Sequence, residues 1–583
     1  MKLKALALDY DGTIAEHGSM APDVRAAIGR AREAGLIILI VTGRILGDLR
    51  RVCGDLSFAD AIVAENGAVL AFPRSGRSTA LHFPPAPAFL EALRKRDVQF
   101  ETGETVIDSD ASSAPAALEA IQQLEQPLSL LFNRSRMMIL PQAISKATGL
   151  ASALHALRLS EHNVLAIGDA ENDHELLRIA EIGVAVEWGS DALKQAADEI
   201  LPGDSPSAVA TYIDSLIERT ASNHTLTIRR PRRRLTLGVT AGGNELSLAV
   251  TGRNVLISGD PRSGKSWVGG LLCEQLILLG YSVCVIDPEG DYASLEALPR
   301  VTVVGGDDPP PQPHEILRLL RHPDRSIVID LSRLSHVDKL EYLRGALPQI
   351  AIVRSRTGLP HRVLLDEAHY FLCGDDAMDL LDTSAGGCTL VTFQASRLQC
   401  DVLSAADVLL VTRATDPHEV QSLAEASKAE HVDLVDWQRI LEGLEVNEAA
   451  LLPSPGATES EGRLRRIRLA ERLTPHVRHR MKYLDVPVPD PHAFMFRERG
   501  HTTGERAHTL KEFIDILGRT APERIHEHIQ RSDFSRWIAD VFGDRLLATT
   551  VRSLEDNYRL NRVPDINDAV SQAVRLRYEF LDE

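Results

Sequence analysis

The sequence predicts an α/β protein built as two successive parallel-sheet segments followed by a small helical segment. Three observations carry this. Residues 1–220 alternate short apolar runs ("KALALDYDG", "GLIILIVTGR", "DAIVAENGAVL", "NVLAIGDAEND") with amphipathic stretches such as "APDVRAAIGRAREAG". Continuous apolar strands alternating with helices mark a parallel sheet covered on both faces. The same alternation returns from about 235 to 470, whereas the last stretch carries apolar residues at helical spacing only. In both α/β segments the polar residues gather just after each apolar run, at the carboxyl edge where open α/β sheets bind ligands.

The chain has 583 residues, 44% hydrophobic and 25% charged, with a formal net charge of −18. At roughly 100–200 residues per domain this suggests three or four domains. An acidic chain is no evident nucleic-acid binder overall, because phosphate contacts require clustered Lys and Arg. Six cysteines at 53, 273, 284, 373, 388 and 400 include no CxxC pair. They read as buried free thiols rather than as a disulfide framework or a zinc site. No apolar signal region opens the chain and no run approaches the length of a membrane helix, so the expected location is cytoplasmic.

The first strand ends in D-Y-D-G-T. An extended i, i+2 pair can send Asp9 and Asp11 to one side. Two close carboxylates are costly unless a cation lies between them or one is protonated. One can attack phosphorus while the other protonates a leaving oxygen and later activates water. Gly12 permits the tight turn that follows. The next strand ends V-T-G-R, bringing the Thr42 hydroxyl to the same edge. In "PQAISKATGL", Lys146 opens a helix and can neutralise a phosphoryl group. "AIGDAENDHELL" adds Asp169 and Asp173, hard oxygen donors suited to Mg²⁺.

In this order, D-x-D-G-T, Thr-Gly, Lys and G-D-x-x-N-D closely resemble the haloacid dehalogenase phosphatases. "VAENGA" at 63–68 resembles their Cof-like branch with a type-2 cap. The resemblance covers residues 1–215 and implies a Rossmann-like fold. It implies that Asp9 is the nucleophile forming an aspartyl-phosphate and Asp11 the general acid/base. It implies that Thr42 and Lys146 bind phosphate. Asp9, the Asp11 main-chain carbonyl, Asp169 and Asp173 would organise Mg²⁺, with Asn172 in support. Asp9 to Thr42 leaves little room for an insert, whereas Thr42 to Lys146 is long, so a small α/β cap is expected at about 72–138. A short cap suggests a small phosphorylated substrate such as phosphoglycolate or a sugar phosphate.

Residues 224–234, "HTLTIRRPRRR", break the pattern, with five arginines in six positions around one proline. They read as a linker or the edge of the next domain. "LTLGVTAGGNELSLAVTGR" then reads as a β-hairpin with a Gly-Gly-Asn turn.

"GDPRSGKS" at 259–266 fits G-x-x-x-x-G-K-[ST] between an apolar strand and a helix pattern. Gly259 and Gly264 frame a loop whose N–H groups cradle phosphates. Lys265 reaches the β- and γ-phosphates of ATP, and Ser266 binds Mg²⁺. "HRVLLDEAHYF" places Asp366 on the Mg²⁺ shell and Glu367 on the attacking water, which favours hydrolysis. "VIDPEGDY" follows the P-loop helix, and "TFQASRL" puts Gln394 where it can sense the γ-phosphate. Together these resemble the HerA/FtsK branch of P-loop ATPases, over about 235–470, and imply a RecA-like fold. Its rings are hexameric, which makes Arg413 in "LLVTRATD" a candidate trans-acting arginine finger; a structural salt bridge at a strand end is the alternative.

The expected division is therefore 1–220, 224–470, a Pro-punctuated linker at 471–500, and a helical module at 501–583. Trp537 and Phe542 read as core, and His526 and His528, two apart, as no metal site. Arg463, Arg465, Arg466, Arg468, Arg472, Arg478, Arg480 and Lys482 offer a nucleic-acid surface or, more often, a solvated face or an interdomain contact. The expected function is a bifunctional Mg²⁺-dependent phosphatase coupled to ATP hydrolysis. The alternative is a HerA-like DNA-translocating or scaffold ATPase with an accessory phosphatase acting on nucleic-acid ends or nucleotides.

Overall fold

The computed structural model describes the chain apart from residues 1, 134, 222–231, 251, 375–376, 430–431, 455–462, 476–486, 489, 499–500, 543–544 and 579–583. Arg478, Arg480, Lys482 and most of the 224–234 break lie outside the described residues.

The N-terminal sheet has eight strands in the order Glu199–Leu201, Ile182–Val186, Val164–Gly168, Ala5–Asp9, Ile37–Val41, Ala61–Ala64, Val69–Phe72, Arg77–Ala80. The first six run parallel, Val69–Phe72 returns antiparallel to them, and Arg77–Ala80 pairs antiparallel with Val69–Phe72 in turn. The period-2 alternation of a strand divides it between two cores. Leu6, Leu8, Ile38 and Ile40 enter one, while Ala5, Ala7, Leu39 and Val41 enter the other. Both faces are covered, which is why these strands read as unbroken apolar runs. "DAIVAENGAVL" is two strands rather than one. The chain reverses at Glu65, Asn66 and Gly67, all at positive φ.

Residues 100–141 build a separate antiparallel sheet in the order Leu128–Asn133, Arg136–Pro141, Ile107–Asp110, Phe100–Thr102. Helices Pro87–Arg94 and Ala114–Gln123 pack on it around Phe89, Leu93 and Ile139.

The second large sheet has eleven strands. Its parallel part runs Val408–Val411, Val255–Ser258, Cys388–Thr392, Arg362–Leu365, Val283–Asp287, Ser326–Asp330, Val301–Gly305. One strand therefore separates the P-loop strand from the strand that ends at Asp366. The half-buried edge strand Val301–Gly305 has no separate counterpart in the sequence reading. Glu448–Leu451, Arg465–Leu469 and the hairpin Arg234–Thr240/Glu245–Ala249 extend the sheet antiparallel. Beyond the sheet, Leu473 N–H and Thr474 N–H both donate to the buried Glu274 carboxylate on the P-loop helix, so the first residues of the expected linker are fixed to that helix.

The C-terminal residues depart from a purely helical reading. Phe494–Glu498 pairs antiparallel with His501–Ala507, ahead of helices Leu510–Arg519, Arg545–Arg559 and Ile566–Tyr578. Phe494 and Phe496 alternate into a core with Phe513, Phe534, Trp537 and Phe542. Burying two aromatic side chains two residues apart requires an extended backbone, so the stretch before 500 is a strand here. The cysteines are also not uniformly buried: Cys273, Cys284 and Cys388 are, Cys53 is partly covered, and Cys373 and Cys400 are exposed at loop and helix-start positions.

Candidate active sites at the two sheet edges

Asp9 ends its strand, Thr42 follows the neighbouring strand, and Asp169 follows the strand on the other side. Parallel pairing brings all three to one carboxyl edge. Lys146 arrives on helix Lys146–Leu157, whose start is set by a capping box between Ser145 and Thr148. A lysine in the first turn opposes the helix dipole. Here it is buried and bonded to Asp9 Oδ1 at 2.5 Å and Asp173 Oδ1 at 2.6 Å. Burial would lower its pKa, but Asp173 and Asp9 overcome that and hold it above the ordinary lysine value. Burial, then Asp173, push the Asp9 carboxyl well above the ordinary range, with Lys146 opposing them.

Asp9, Asp169 and Asp173 each bring a carboxylate oxygen within 4.8 Å of the others. Three buried carboxylates face one ammonium here, an excess of negative charge that burial makes costly. An all-oxygen donor set of this kind fits Mg²⁺. Asp173 is the least available of the three, since Oδ2 accepts the N–H groups of Asp169 and Ala170 while Oδ1 takes Lys146. Thr13 Oγ1 lies 3.2 Å from Asp9 Oδ2 and 3.4 Å from Asp169 Oδ1, bridging the two. Gly12 has φ +83°, and a Cβ there would stand 2.3 Å from Asp169 Oδ2. The turn thus needs glycine both for its conformation and for the approach of Asp169.

Asp11 is half-exposed and gripped at both oxygens by Arg44, each at 2.6 Å. Arg44 also pairs with Asp48, and its N–H donates to Thr42 Oγ1. Arg44 was missed as a site residue although it directly follows the quoted Thr-Gly. Asp9, Asp11, Thr42, Lys146, Asp169 and Asn172 line one cleft of about 280 Å³, together with Arg44. Its other wall is Glu101, Asp108, Leu131, Arg136 and Met138 from the small antiparallel sheet, where Arg136 pairs with Asp108. Nothing in the linear pattern announced these wall residues. Glu65 is a further buried anchor. Its carboxylate accepts the N–H groups of Glu104, Thr105 and Val106, in the turn between strands Phe100–Thr102 and Ile107–Asp110 of the small sheet.

In the second sheet, Gly264 at φ +103° opens helix Lys265–Leu278. Lys265 Nζ donates to Asp260 O at 2.8 Å, and Ser266 Oγ donates to Asp291 Oδ2 at 2.8 Å. Asp291 belongs to "DPEGDY", whose loop is shaped by Asp287 accepting N–H groups from Glu289, Gly290, Asp291 and Tyr292. Burial, then Asp291 and Asp330, raise Asp287 to about 8. Asp366 and Glu367 are buried at the end of their strand, Glu367 at φ +47°. Gln394 N–H donates to Thr392 Oγ1, which also meets His369 Nδ1 at 3.0 Å. Gly259, at φ +151°, packs against Thr412 and Ser263. Arg413 lies 3.6 Å from Asp260 Oδ2 on the same chain, the salt-bridge alternative for this residue. Arg466 pairs with Glu448, and Arg472 is buried over the Trp267 ring, so these two members of the basic stretch are engaged internally.

Comparison with known proteins follows this division. Residues 6–101 and 91–213 match the haloacid dehalogenase-like hydrolase family, and residues 249–354 match the family described as the central domain of the helicase HerA. A phosphoglycolate phosphatase of Archaeoglobus fulgidus is 24% identical over 37% of this chain and 97% of its own length. The 5-amino-6-(5-phospho-D-ribitylamino)uracil phosphatase of Bacillus subtilis is 25% identical over 36% of this chain and 94% of its own. A solved haloacid dehalogenase-like hydrolase from Bacteroides thetaiotaomicron is 21% identical over 37% of this chain and all of that one, with a TM-score of 0.33. Among the described residues, no helix is long and apolar enough to cross a membrane.

Proposed function

From a chain that joins a haloacid dehalogenase-like hydrolase segment to a HerA central-domain segment, we infer a phosphoric monoester hydrolase carried beside an ATP-hydrolysing P-loop segment. We take residues 1–220 as the phosphatase unit, with its cap near 72–138, and 224–470 as the ATPase unit. The observation that carries the first activity is the buried cluster of Asp9, Asp169 and Asp173 around Lys146 at the floor of the cleft.

Asp9 is the nucleophile. Lys146 holds Oδ1 of Asp9, and Thr13 lies against Oδ2, so the carboxylate is oriented before substrate arrives. Attack on phosphorus forms an acyl phosphate on Asp9 and breaks the bond to the leaving oxygen. Asp11 gives that oxygen its proton and then takes one from the water that hydrolyses the acyl phosphate. Both Asp11 oxygens are held by Arg44, so proton exchange requires one of them to leave that fork. Thr42 and Lys146 receive the phosphoryl group. Asp9, Asp169 and the Asp11 carbonyl, supported by Asp173 and Asn172, would hold Mg²⁺, which when bound would neutralise charge on the phosphoryl oxygens. The polar and apolar wall formed by Asp108, Arg136, Leu131 and Met138 suits a small phosphorylated metabolite, such as phosphoglycolate or a sugar phosphate.

In the second unit, the loop from Gly259 to Gly264, with Lys265 and Ser266, would hold the ATP phosphates and Mg²⁺. Asp366 would support the Mg²⁺ shell, Glu367 would activate water, and Gln394 would sense the γ-phosphate. A hexameric ring in which Arg413 reaches a neighbour remains part of this reading, as does a cytoplasmic location. For the DNA-motor alternative, the basic stretch offers Arg463 and Arg468 exposed and Arg466 exposed but paired with Glu448, whereas Arg472 is buried over Trp267.

A panel of small phosphoesters, run with and without Mg²⁺ on the full chain and on Asp9→Asn, tests the phosphatase. Turnover that persists in Asp9→Asn, or is absent from the wild type, defeats it. ATPase assays on wild type and Lys265→Ala, with and without duplex DNA, separate the second activity from the motor alternative.

A further inference from the structure

The two segments meet at a buried polar hub. His162 and Glu181 come from the first, Tyr281 and His361 from the second, and Arg233 from the connection between them. His162 Nδ1 lies 2.9 Å from Glu181 Oε2, and Nε2 lies 3.0 Å from Leu279 O. A carboxylate and a carbonyl both accept, so completing both bonds requires a hydrogen on each ring nitrogen. The Tyr281 hydroxyl donates to Glu181 Oε2 at 2.7 Å while its ring stacks on His162, centroids 3.6 Å apart. Arg233 Nη1 donates to the same carboxylate at 3.1 Å. The backbones fit closely: a Cβ at Gly358 would stand 2.6 Å from Asn163 Nδ2, and one at Gly280 would stand 3.3 Å from His162 Nε2.

The hub lies at the far end of a helix from each site. Helix Lys265–Leu278 starts at the P-loop and runs directly into Leu279 and Tyr281. Helix His174–Ile179 starts next to Asp173 and runs into Ala180 and Glu181. Arg232 and Arg233 donate to the carbonyls of Leu177, Arg178, Ile179 and Ala180, fastening the end of that helix to the connection. Asp173 at its start holds Lys146, which holds Asp9.

We propose that nucleotide binding at the P-loop is communicated to the phosphatase cleft through the His162–Glu181–Tyr281–Arg233 hub, the two helices acting as rigid levers on either side. The effector is a nucleoside triphosphate with its divalent cation. The proposal rests on the phosphatase and P-loop readings above and adds the route between them. Displacement of the P-loop helix shifts Leu279 and Tyr281 against His162 and Glu181. A packed network of this kind switches between discrete arrangements rather than deforming smoothly. The helix that bears Glu181 at one end and Asp173 at the other carries the shift to Lys146 and Asp9.

The test is hydrogen exchange on the full chain with and without a non-hydrolysable ATP analogue and Mg²⁺, with p-nitrophenyl phosphate hydrolysis measured in parallel. Analogue affinity is measured directly for every protein. In the wild type, exchange is expected to change at 161–181 as well as at 259–266, and hydrolysis to change by about fivefold or more, the usual scale of coupling between sites. Tyr281→Phe and Glu181→Gln are expected to bind the analogue and to keep basal hydrolysis within about twofold, while losing both responses. Tyr281→Phe removes only one hydroxyl and carries the test if Glu181→Gln fails to fold. Analogue protection confined to 259–266 in the wild type, variants that respond like the wild type, or no analogue binding at all overturns the proposal. An exchange response in a protein that hydrolyses no phosphoester upholds the route and sinks the phosphatase reading alone.

Discussion

At the scale of single residues, the chemistry of the first site follows from where charges are forced to lie. Lys146 is buried beside two carboxylates, and removing one partner of such a set leaves an uncompensated charge. Lys146→Ala is therefore expected to lower the melting temperature as well as abolish phosphatase turnover, whereas Asp9→Asn abolishes turnover with the fold retained. Circular dichroism melts beside phosphoester assays distinguish the two outcomes. Gly12→Ala meets Asp169 Oδ2 and a φ of +83° together. It is expected to cut turnover at least about tenfold, since misplacement of a reacting group by about 1 Å costs on the order of 100-fold. Arg44 and Thr13 sat in view in "VTGR" and "DYDGT", but their partners lie at Asp11, Asp48 and Asp169, and only the folded chain selects among those.

At the scale of elements, two anchors connect segments distant in sequence. Glu65 accepts three backbone N–H groups from residues 104–106. Glu65→Ala leaves those donors unpaired at roughly 1–3 kcal/mol each where buried. The expected result is a lower melting temperature and a raised KM, read from thermal melts and substrate titration. Glu181 is the second anchor. Burial alone would raise its pKa, but His162, Arg233 and Tyr281 outweigh burial and leave it below the ordinary value of 4.5. A carboxyl depressed in the folded state stabilises the protein above its unfolded pKa and loses that contribution as pH falls through the folded value. His162, Arg233 and Tyr281 face it from the packed elements, and His361 and Glu161 lie behind them against His162. The melting temperature is thus expected to drop as pH falls below about 4.5, and Glu181→Gln is expected to flatten that part of the pH profile.

At the scale of the whole molecule, two carboxyl-edge sites stand on two sheets that share a buried contact. Lys265→Ala is expected to abolish nucleotide binding while leaving unliganded phosphatase turnover unchanged, which nucleotide titration and phosphoester assay check together. The basic stretch at 463–482 looked like a surface because arginines crowd there. In the fold, Arg463, Arg466 and Arg468 are exposed and Arg472 is buried over Trp267, so among the described residues the stretch is partly a solvated face and partly an internal contact.

The sequence by itself determined the two α/β segments, the hairpin ahead of the P-loop and the strand-end residues of both sites. Each of these is written locally, in hydrophobic period, turn residues and short motifs. The tertiary structure decided what depends on apposition. It set Arg44 on Asp11, Arg136 and Asp108 across the cleft, Glu65 under the small sheet, the aromatic hairpin at 494–507 and the hub between His162 and Tyr281. These contacts pair residues far apart in sequence or pair strands by register. Such partnerships leave no period in one dimension and appear only when burial makes an unpaired charge or N–H too costly to leave alone.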